Sequence, residues 1–452
     1  MRAGFVGALR WFYPGLGVKR WLVVAIIGLL LLVNGISRWL VAEGLHFNIN
    51  ELLDSSVVDF FSPAYLSWIF GLLGLGLIYF GIARWLAAIL RASKLGGRSR
   101  LVDQLMELRL RNGYKIVAIG GGTGLSTLLR GLKAHTTNIT AVVTVSDDGG
   151  SSGRLRTELG VLPPGDIRNC LVALADNEAL VTDLFQYRFS EGNGLSGHSF
   201  GNLFLAAMTG ITGNFDHAIK ESSRVLNIKG RVLPATLGVV RLCATLEDGS
   251  IVEGESNISA SKVPISNVYF DPPYAAPLDE VIAAIRDADA IVLGPGSLYT
   301  SILPNFLIDR MATEVAASSA VKMYICNVMT QPGETDSLSA AEHVRALFKN
   351  AGARICDYVI VNDQPPSKLL NVYAEEGQIP VKADLENIRA MGPKPIAAHV
   401  ISETVNVRHD PAKLAGIVID VIDAAVAQRA SFLKPAPVIE RPVVATEPQQ
   451  NV

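Results

Sequence analysis

A run of glycines between an apolar strand and a helix constrains the fold of this chain more than any other feature. Lys115–Ile119 is largely apolar and rich in β-branched residues, as expected of a buried parallel strand. Gly120–Gly124 then has four glycines in five positions, and Leu125–Leu132 follows with helical spacing. Glycines let backbone N–H groups approach an anion, and a helix N-terminus adds a favourable field. The segment therefore predicts a phosphate-binding turn. The alternative is a tight turn without a ligand, because neither the dinucleotide fingerprint nor the Gly-Lys-Ser/Thr loop is complete.

Composition limits the classes of protein to which the chain can belong. A chain of 452 residues has room for two or three domains, and its formal net charge of −2 gives no electrostatic case for nucleic acid. The four cysteines, Cys170, Cys243, Cys326 and Cys356, are scattered and fit neither a disulfide framework nor a zinc site. This usage predicts a reduced, cytosolic environment for the main domain.

Two apolar runs near the N-terminus, Trp21–Ala42 and Ala64–Leu90, are each long enough to cross a bilayer. The outer flanks are basic, through Arg2, Arg10, Lys19 and Arg20 before the first run and Arg84, Arg91, Lys94, Arg98 and Arg100 at the end of the second. The connecting loop is acidic, through Glu43, Glu51, Asp54 and Asp59. The positive-inside rule then predicts a multi-pass anchor in the cell membrane, with both ends and the main domain in the cytoplasm.

From about residue 115 to residue 427, strand-like runs alternate with helical segments, which predicts an α/β fold with a parallel sheet covered on both faces. The candidate strands are Lys115–Ile119, Ile139–Val145, Ala290–Leu293, Lys322–Asn327 and Tyr358–Val361. The candidate helices are Leu125–Ala134, Asp166–Leu174, Phe200–Thr209, Leu278–Ala288, Leu338–Asn350 and Pro411–Ala427. Val239–Leu246 and Ile251–Glu255 predict a small antiparallel hairpin inserted in this domain.

The expected organisation is an anchor over 1–100 with spans at about 21–42 and 64–90, a helical linker over 101–113, the main α/β domain over 114–430 and a tail over 431–452. Leu101–Arg111 has an apolar face and fits equally well as a linker or as the first helix of the domain. The tail is rich in proline and lacks a core pattern, which predicts disorder.

Acidic and basic side chains follow the second strand. Asp147 and Asp148 precede a glycine-rich stretch that ends in Arg154. Ligands of doubly wound sheets bind outside the carboxyl ends of the strands, so this segment is expected to face the glycine turn. The carboxylates suit a ribose hydroxyl or Mg²⁺, between which the sequence does not choose, and Arg154 suits a phosphate. Asp147 and Asp148 are also candidate catalytic residues.

Two further turns lead into helices. Asp166 follows a double proline and is a plausible helix N-cap, with Arg168 and Asn169 on the first turn facing the cleft. His198 and Asn202 open another helix, where the imidazole could contact phosphate, shuttle a proton or cap the helix.

A second glycine turn, Gly294–Ser301, follows the strand at Ala290–Leu293 and includes Gly296, Ser297 and Tyr299. It repeats the logic of the first turn and could hold the far phosphate of a diphosphate. Asn327 follows another strand and is a candidate for reading a base or sugar edge.

Several of these segments together resemble the YvcK-type gluconeogenesis factor family, which is related to the CofD-like 2-phospho-lactate transferases. The matching segments are GGGTGLSTLLRGLK, SDDGGSSGRLR, PPGDIRN, GLSGHSFGN, GPGSLYTSILPN and CNVMTQPGETD. The resemblance implies a Rossmann-like CofD fold and a UDP-sugar ligand such as UDP-N-acetylglucosamine. By matching segment, the implied site is lined by Gly121, Gly122, Thr123, Gly124, Asp147, Asp148, Arg154, Asp166, Arg168, Asn169, His198, Asn202, Gly296, Ser297, Tyr299 and Asn327. Because the two apolar runs and the tail lie outside the family's commonest layout, a purely cytosolic location does not follow from it.

The resemblance leaves two functions open. The first is a non-catalytic regulator of cell shape, of cell-wall precursor supply and of growth on particular carbon sources, which binds a UDP-sugar and needs no cofactor. Its expected partners are the ligand, the membrane and cell-wall precursor enzymes, with self-association open. The second is a Mg²⁺-dependent transferase that moves a phospholactyl-type group from a nucleoside diphosphate donor. The motif variants favour the regulator.

The charge pattern of the anchor gives a test of its topology. A cysteine placed near Asp54 should react with a membrane-impermeant thiol reagent in intact cells, because the acidic loop is expected outside. A cysteine placed near Ser99 is the control and should stay unlabelled until the cells are opened. The reverse labelling pattern would contradict the predicted orientation.

Overall fold

The computed structural model describes residues 18–42, 63–92, 108–176, 178–192, 194–366, 369–403 and 407–432. The chain divides into two compact units, Met1–Leu108 and Arg109–Val452. The loop between the two apolar runs, most of the predicted linker and nearly all of the tail lie outside the described residues.

The N-terminal unit is a pair of antiparallel helices, α1 (Val18–Ala42) and α2 (Pro63–Ala92), which confirms that both apolar runs are helical. Glycines let the two backbones touch. A Cβ atom on Gly28 would lie 2.7 Å from the backbone nitrogen of Ile78, and one on Gly74 would lie 2.6 Å from that of Leu32. This close approach through small residues is typical of helix pairs in membranes.

The two helices differ in how well they qualify as membrane spans. Within α2, Ser67–Arg84 is long and apolar enough to cross a bilayer, with a mean hydropathy of 1.5, whereas α1 has only a shorter apolar stretch, Val23–Ser37. Large apolar side chains are exposed on both helices, among them Val23, Ile27, Leu30, Leu72, Leu75 and Tyr79. One candidate span is therefore present among the described residues, and a second crossing stays a prediction.

A seven-stranded parallel sheet forms the centre of the C-terminal unit, as the alternating pattern predicts. Its strands are β1 (Ile116–Gly120), β2 (Ile139–Val143), β3 (Arg231–Pro234), β7 (Ala290–Leu293), β8 (Val321–Ile325), β9 (Tyr358–Asn362) and β10 (Lys394–Ala398). They lie in the order β10-β9-β8-β7-β1-β2-β3. In register, Ile116 of β1 lies opposite Ala290 of β7 on one side and Ile139 of β2 on the other. The strand order reverses between β1 and β7, and such a switch point opens a crevice at the carboxyl ends of the strands.

Helices cover both faces of the sheet and enclose two hydrophobic clusters, one on each face. They are α3 (Gly122–Leu132), α4 (Gly150–Leu159), α5 (Gly165–Leu174), α6 (Glu178–Gln186), α7 (Phe200–Thr212), α8 (Phe215–Val225), α9 (Glu255–Ala260), α10 (Asp279–Arg286), α11 (Met311–Ala317), α12 (Ala340–Ala351), α13 (Leu370–Glu375), α14 (Leu385–Ala390) and α15 (Pro411–Phe432). A π-helical turn, Leu298–Ile302, and a 3-10 turn, Leu303–Phe306, follow β7. The helix expected from Leu125 begins earlier, at Gly122, so part of the glycine run forms its first turn.

The predicted hairpin is present as β4 (Arg241–Leu246) and β5 (Ile251–Glu253), which pair antiparallel. Several further elements have no counterpart in the sequence-based prediction, among them strands β3 and β10 of the central sheet. A third strand, β6 (Ile265–Asp271), pairs with the other edge of β4, and β11 (Ile401–Glu403) pairs with β12 (Val407–His409). The strands β11 and β12 are too short to show a period of two, and only their pairing makes them a sheet.

Helix α15 packs on α3 at a position where no side chain fits. A Cβ atom on Gly131 would overlap the carbonyl oxygen of Pro411 and lie 2.7 Å from the Cβ atom of Ala415. Gly131→Ala should therefore lower the free energy of unfolding by about 1–3 kcal/mol through overpacking, measured by urea unfolding with circular dichroism.

Gly416 of α15 is the matched control. A Cβ atom there would have no heavy atom within 4 Å, so Gly416→Ala should be neutral or stabilise the helix by about 0.5–1 kcal/mol. Equal losses in the two variants would contradict the close packing of the two helices.

Candidate functional site

The two glycine turns meet at the switch point of the sheet. A side chain on Gly124 would overlap the carbonyl oxygen of Pro295, and a Cβ atom on Gly296 would lie 3.4 Å from the carbonyl oxygen of Gly121. Gly122 has φ +64 and Gly296 has φ +154, conformations that favour glycine. The turns after β1 and β7 are therefore in direct contact through their backbones.

This backbone borders a cavity of about 550 Å³. Of the residues expected in the site, the cavity is lined by Gly121, Gly122, Thr123, Gly124, Gly296, Ser297 and Asn327. The other lining residues are Thr127, Glu255, Pro295, Ser301, Val328, Met329, Gln331, Tyr373, Glu376, Gln378, Val407, Arg408 and His409. The structure thus brings both glycine turns to one site, as expected.

Asn327 supports the second turn directly. Its Oδ1 accepts a hydrogen bond from the backbone N–H of Gly296 at 3.2 Å, and its Nδ2 donates to Oε1 of Gln331 at 3.3 Å. Gln331 in turn donates from Nε2 to Oγ of Ser297 at 2.9 Å. The amide of Asn327 therefore fixes the shape of the turn, in addition to any contact with a ligand.

Asp166 has a different role from the expected helix cap. Helix α5 begins at Gly165 with Pro164 in the capping position, and no side chain caps it. The carboxyl group of Asp166 instead accepts a hydrogen bond from the backbone N–H of Gly122. Burial, and then the negative charge of Asp147, raise the pKa of Asp166 to about 7. The first glycine turn is therefore backed by an acid that titrates near neutral pH.

Asp147 and Asp148 hold neighbouring segments and do not line the cavity. Asp147 accepts a hydrogen bond from the backbone N–H of Gly149 at 2.9 Å. Asp148 accepts from the backbone N–H and the Oγ of Ser256, at 3.0 and 2.8 Å. The two carboxylates therefore accept hydrogen bonds from different segments of the chain. Within the described ranges, no group of three or more His, Cys, Asp or Glu side chains is placed to hold a metal ion.

A buried polar network contains three of the remaining predicted residues, Arg168, His198 and Asn202. Arg168 donates from Nη1 to Oγ of Ser199 at 2.6 Å and to Oδ1 of Asn202 at 3.0 Å. His198 shares a 2.9 Å hydrogen bond between its Nδ1 and Oγ of Ser151. Burial and the nearby arginine cations lower the pKa of His198. Ser199, rather than His198, caps helix α7, and none of these side chains lines the cavity.

Three other predicted residues also lie outside the cavity lining. Asn169 accepts a hydrogen bond from Nη2 of Arg168 at 2.9 Å. Tyr299 is 5% exposed and packs in the hydrophobic cluster beneath the second turn. Arg154 donates to the backbone carbonyls of Ser196 at 2.7 Å and Gly194 at 3.3 Å, so its guanidinium is bound to a loop.

Arg408 is the one arginine or lysine among the described residues that line the cavity. Its exposed guanidinium has no hydrogen-bond partner in the described part of the chain, which leaves it available to an anion. It lies on β12, a strand of three residues, and no motif in the sequence pointed to it.

Glu255 reaches the cavity from the antiparallel insert. It begins helix α9, and its Oε2 is buried with no partner among the described residues. Burial and then the negative charges of Asp147 and Asp166 raise its pKa well above the usual range. Sequence reasoning missed it because nothing in the insert's pattern shows which loop it contacts.

The raised pKa of Asp166 makes stability depend on pH. Its pKa in the folded state, about 7, lies above the unfolded value of 3.8. The free energy of unfolding therefore falls as the pH rises between these values. Asp166→Asn removes the titration and keeps an oxygen for the Gly122 N–H. It should therefore be more stable than the parent at pH 8 but not at pH 4. At about 1.4 kcal/mol per pKa unit, the gain is at most about 4 kcal/mol.

Urea unfolding at the two pH values measures this difference. The control is Asp309→Asn, which changes an exposed carboxylate and should keep the parent's pH dependence. A difference between parent and Asp166→Asn that is the same at both pH values would contradict the buried titration.

Comparisons with known proteins agree with this architecture. The family model described as 2-phospho-L-lactate transferase CofD matches residues 116–401. The gluconeogenesis factor of Bacillus subtilis is 53% identical over 310 residues, which cover 68% of this chain and 98% of that protein. A relative from Nostoc sp. is 48% identical over 418 residues, 91% of each chain. That match includes part of the N-terminal unit, because residues 109–452 make up only about three-quarters of this chain.

A solved structure extends the similarity to three dimensions. The crystal structure of a protein member of the UPF0052 family from Bacillus halodurans has a TM-score of 0.66 and 48% identity, and the match covers 68% of this chain and 99% of that chain. With the family model matching most of the C-terminal unit, the chain belongs to the CofD family, in the branch of the YvcK-type gluconeogenesis factors.

Proposed function

We propose that this chain is a membrane-anchored regulator that binds a UDP-sugar of the UDP-N-acetylglucosamine type in the cavity between the two glycine turns. The observation that carries the proposal is the contact of these turns at Gly124 and Pro295. Two helix starts so close together offer backbone N–H groups to the two phosphates of one diphosphate. The regulated processes would be cell shape, cell-wall precursor supply and growth on particular carbon sources.

The size and lining of the cavity support a ligand larger than a diphosphate. About 550 Å³ is within the usual range for small-molecule sites. Beyond the glycine turns, Met329, Tyr373 and Val407 give an apolar wall, and Gln378 gives a polar edge. Such a mixed surface suits a base or a sugar ring attached to the phosphates.

A CofD-like transferase that moves a phospholactyl-type group is the second candidate, because the matching family model is described as a 2-phospho-L-lactate transferase. Against turnover, the three candidate catalytic residues, Asp147, Asp148 and His198, do not line the cavity. Mg²⁺ between the two aspartates stays a prediction, and no step of the proposed binding depends on a metal. We therefore favour binding without turnover.

The anchor would place this binding domain at the cytoplasmic face of the cell membrane, with Ser67–Arg84 as the span best supported by length and composition. Enzymes of cell-wall precursor synthesis and further copies of the chain are proposed partners, and nucleic acid is not. A location at the membrane suits a regulator of wall synthesis, which ends at that surface.

Substitution of Arg408 tests whether the cavity binds the phosphates of the ligand. Arg408→Ala should weaken the binding of UDP-N-acetylglucosamine by roughly ten- to a hundred-fold, because a hydrogen bond to a charged phosphate is lost. Arg154→Ala is the matched control and should leave the affinity unchanged, because Arg154 is bound to loop carbonyls outside the cavity. Isothermal titration calorimetry measures both.

Other ligands separate the alternatives. Equal affinity for UMP would show that the two turns do not hold a diphosphate. Tight binding of NAD without binding of UDP-N-acetylglucosamine would indicate a general dinucleotide site. Release of UMP or UDP over time would indicate an enzyme.

A further inference from the structure

A second cavity lies at the edge of the sheet opposite to the two glycine turns. It has a volume of about 250 Å³, and its lining includes Val321, Tyr358 and Lys394, the first residues of β8, β9 and β10. The rest of the lining is Arg354, Asp357, Gly392, Ala425, Gln428 and Arg429. Since these parallel strands begin at one edge of the sheet and end at the other, this cavity is separate from the one between the glycine turns.

Three cations line this second cavity without a carboxylate partner in the described part of the chain. The guanidinium of Arg354 donates from Nη2 to the carbonyl oxygen of Gly392 at 2.8 Å. The ammonium of Lys394 lies 5.8 Å from the centre of the Tyr358 ring. Arg429 is exposed on the last turn of α15. Three positive charges are therefore held beside one cavity and remain open to an anion.

The acid in the lining does not cancel these charges, because it has a partner of its own. Oδ2 of Asp357 lies 3.3 Å from Nζ of Lys322 and also accepts a hydrogen bond from the backbone N–H of Lys322. A concave surface lined mainly by one sign of charge attracts counter-ions. The volume of about 250 Å³ is below the usual range for drug-sized ligands and suits a phosphate group better than a whole nucleotide.

The position of Arg354 depends on a glycine. Gly392 has φ +106, and a Cβ atom there would lie 2.3 Å from Nη1 of Arg354. The guanidinium therefore lies directly against the backbone of the loop before β10. Its planar fork of N–H donors matches the oxygens of a phosphate.

The chain enters the C-terminal unit at this same edge of the sheet. The carbonyl oxygen of Leu110 accepts a hydrogen bond at 3.0 Å from the backbone N–H of Thr137, in the loop before β2. The hydroxyl of Tyr114, just before β1, donates to Oδ1 of Asp423 on α15. Asp423 lies less than two helical turns before Arg429. The chain that comes from the proposed membrane anchor thus enters this unit close to the three cations.

We propose that Arg354, Lys394 and Arg429 bind the phosphate groups of anionic phospholipids, so that this edge of the sheet docks on the membrane surface. The nucleotide-sugar cavity, at the other edge, would then open away from the lipid. The inference rests on the membrane location given in the proposed function, because a lipid surface must be within reach of this edge. Basic residues beside a membrane attachment gain affinity from anionic headgroups, and salt screens that attraction.

Cosedimentation of residues 109–452 with lipid vesicles tests the proposal without any contribution from α1 and α2. This unit can be tested alone, because its two hydrophobic clusters include no described residue before Tyr114. The crystallised relative from Bacillus halodurans also matches over 99% of its own chain while covering 68% of this one. The unit should bind vesicles of phosphatidylglycerol but not of phosphatidylcholine, and added salt should weaken the binding.

The double variant Lys394→Gln with Arg429→Gln removes two of the cations. Each cation near an anionic membrane contributes roughly a five-fold factor in affinity, so this variant should bind phosphatidylglycerol vesicles roughly twenty- to thirty-fold more weakly. The matched control is Arg241→Gln with Lys262→Gln. It removes the same net charge from exposed positions on the antiparallel insert, outside the second cavity, and should keep nearly the parent's affinity.

Four results would overturn the lipid assignment. They are equal binding to phosphatidylcholine vesicles, unchanged binding in Lys394→Gln with Arg429→Gln, and equal losses in the two double variants, which would indicate general charge attraction. The fourth is binding of inorganic phosphate or duplex DNA by a unit that does not bind phosphatidylglycerol vesicles, which would assign the cations to another anion.

These outcomes are independent of the glycine turns. Binding of UDP-N-acetylglucosamine is measured by calorimetry at the other edge of the sheet, and it should be the same in Lys394→Gln with Arg429→Gln as in the parent. Failure of the parent to bind UDP-N-acetylglucosamine would overturn the proposed ligand while leaving vesicle binding intact. Failure of the lipid assignment and failure of the proposed function are therefore distinguishable.

Discussion

Backbone contact between two turns, one after β1 and one after β7, is the constraint on which the rest of the site depends. The carbonyl oxygen of Pro295 occupies the space that a side chain on Gly124 would need. This contact is possible because β1 and β7 are adjacent parallel strands whose carboxyl ends lie at the same edge of the sheet. The hydrogen bonds of Asp166 to Gly122 and of Asn327 to Gly296 then fix each turn from behind.

Buried carboxyl groups accept hydrogen bonds from these turns and offset part of their positive electrostatic potential. Asp166 accepts from the first turn, and Glu334 accepts from Ser259, from Thr300 and from backbone N–H groups at the start of the π-helical turn. Helix N-termini attract anions, so an internal carboxyl group there lowers the positive potential that a phosphate meets. Burial raises the pKa of both acids, and that of Asp166 reaches about 7, so the negative charge of Asp166 is reduced near neutral pH. The anion affinity proposed for the cavity would therefore depend on the protonation of Asp166 as well as on the glycines.

The sequence predicted the parts of the site that are local. A strand, a glycine run and a helix start are contiguous in the chain, so both turns could be predicted from it, and the structure confirms a parallel sheet. The order of the strands in that sheet was not predicted. Arg408, His409 and Glu255 reach the cavity through tertiary packing of short strands and of the insert, which no sequence period records. Arg154 shows the opposite case. Its position in a motif suggested a phosphate ligand, but the carbonyl groups that hold it come from a loop more than thirty residues later.

The glycines between α1 and α2 have a mechanical consequence. Where Gly28 and Gly74 bring the two backbones together, neither glycine places a side chain of its own between the helices. We therefore expect α1 and α2 to tilt together as one rigid unit. A bulky side chain at either glycine would separate the two helices and allow each to move without the other.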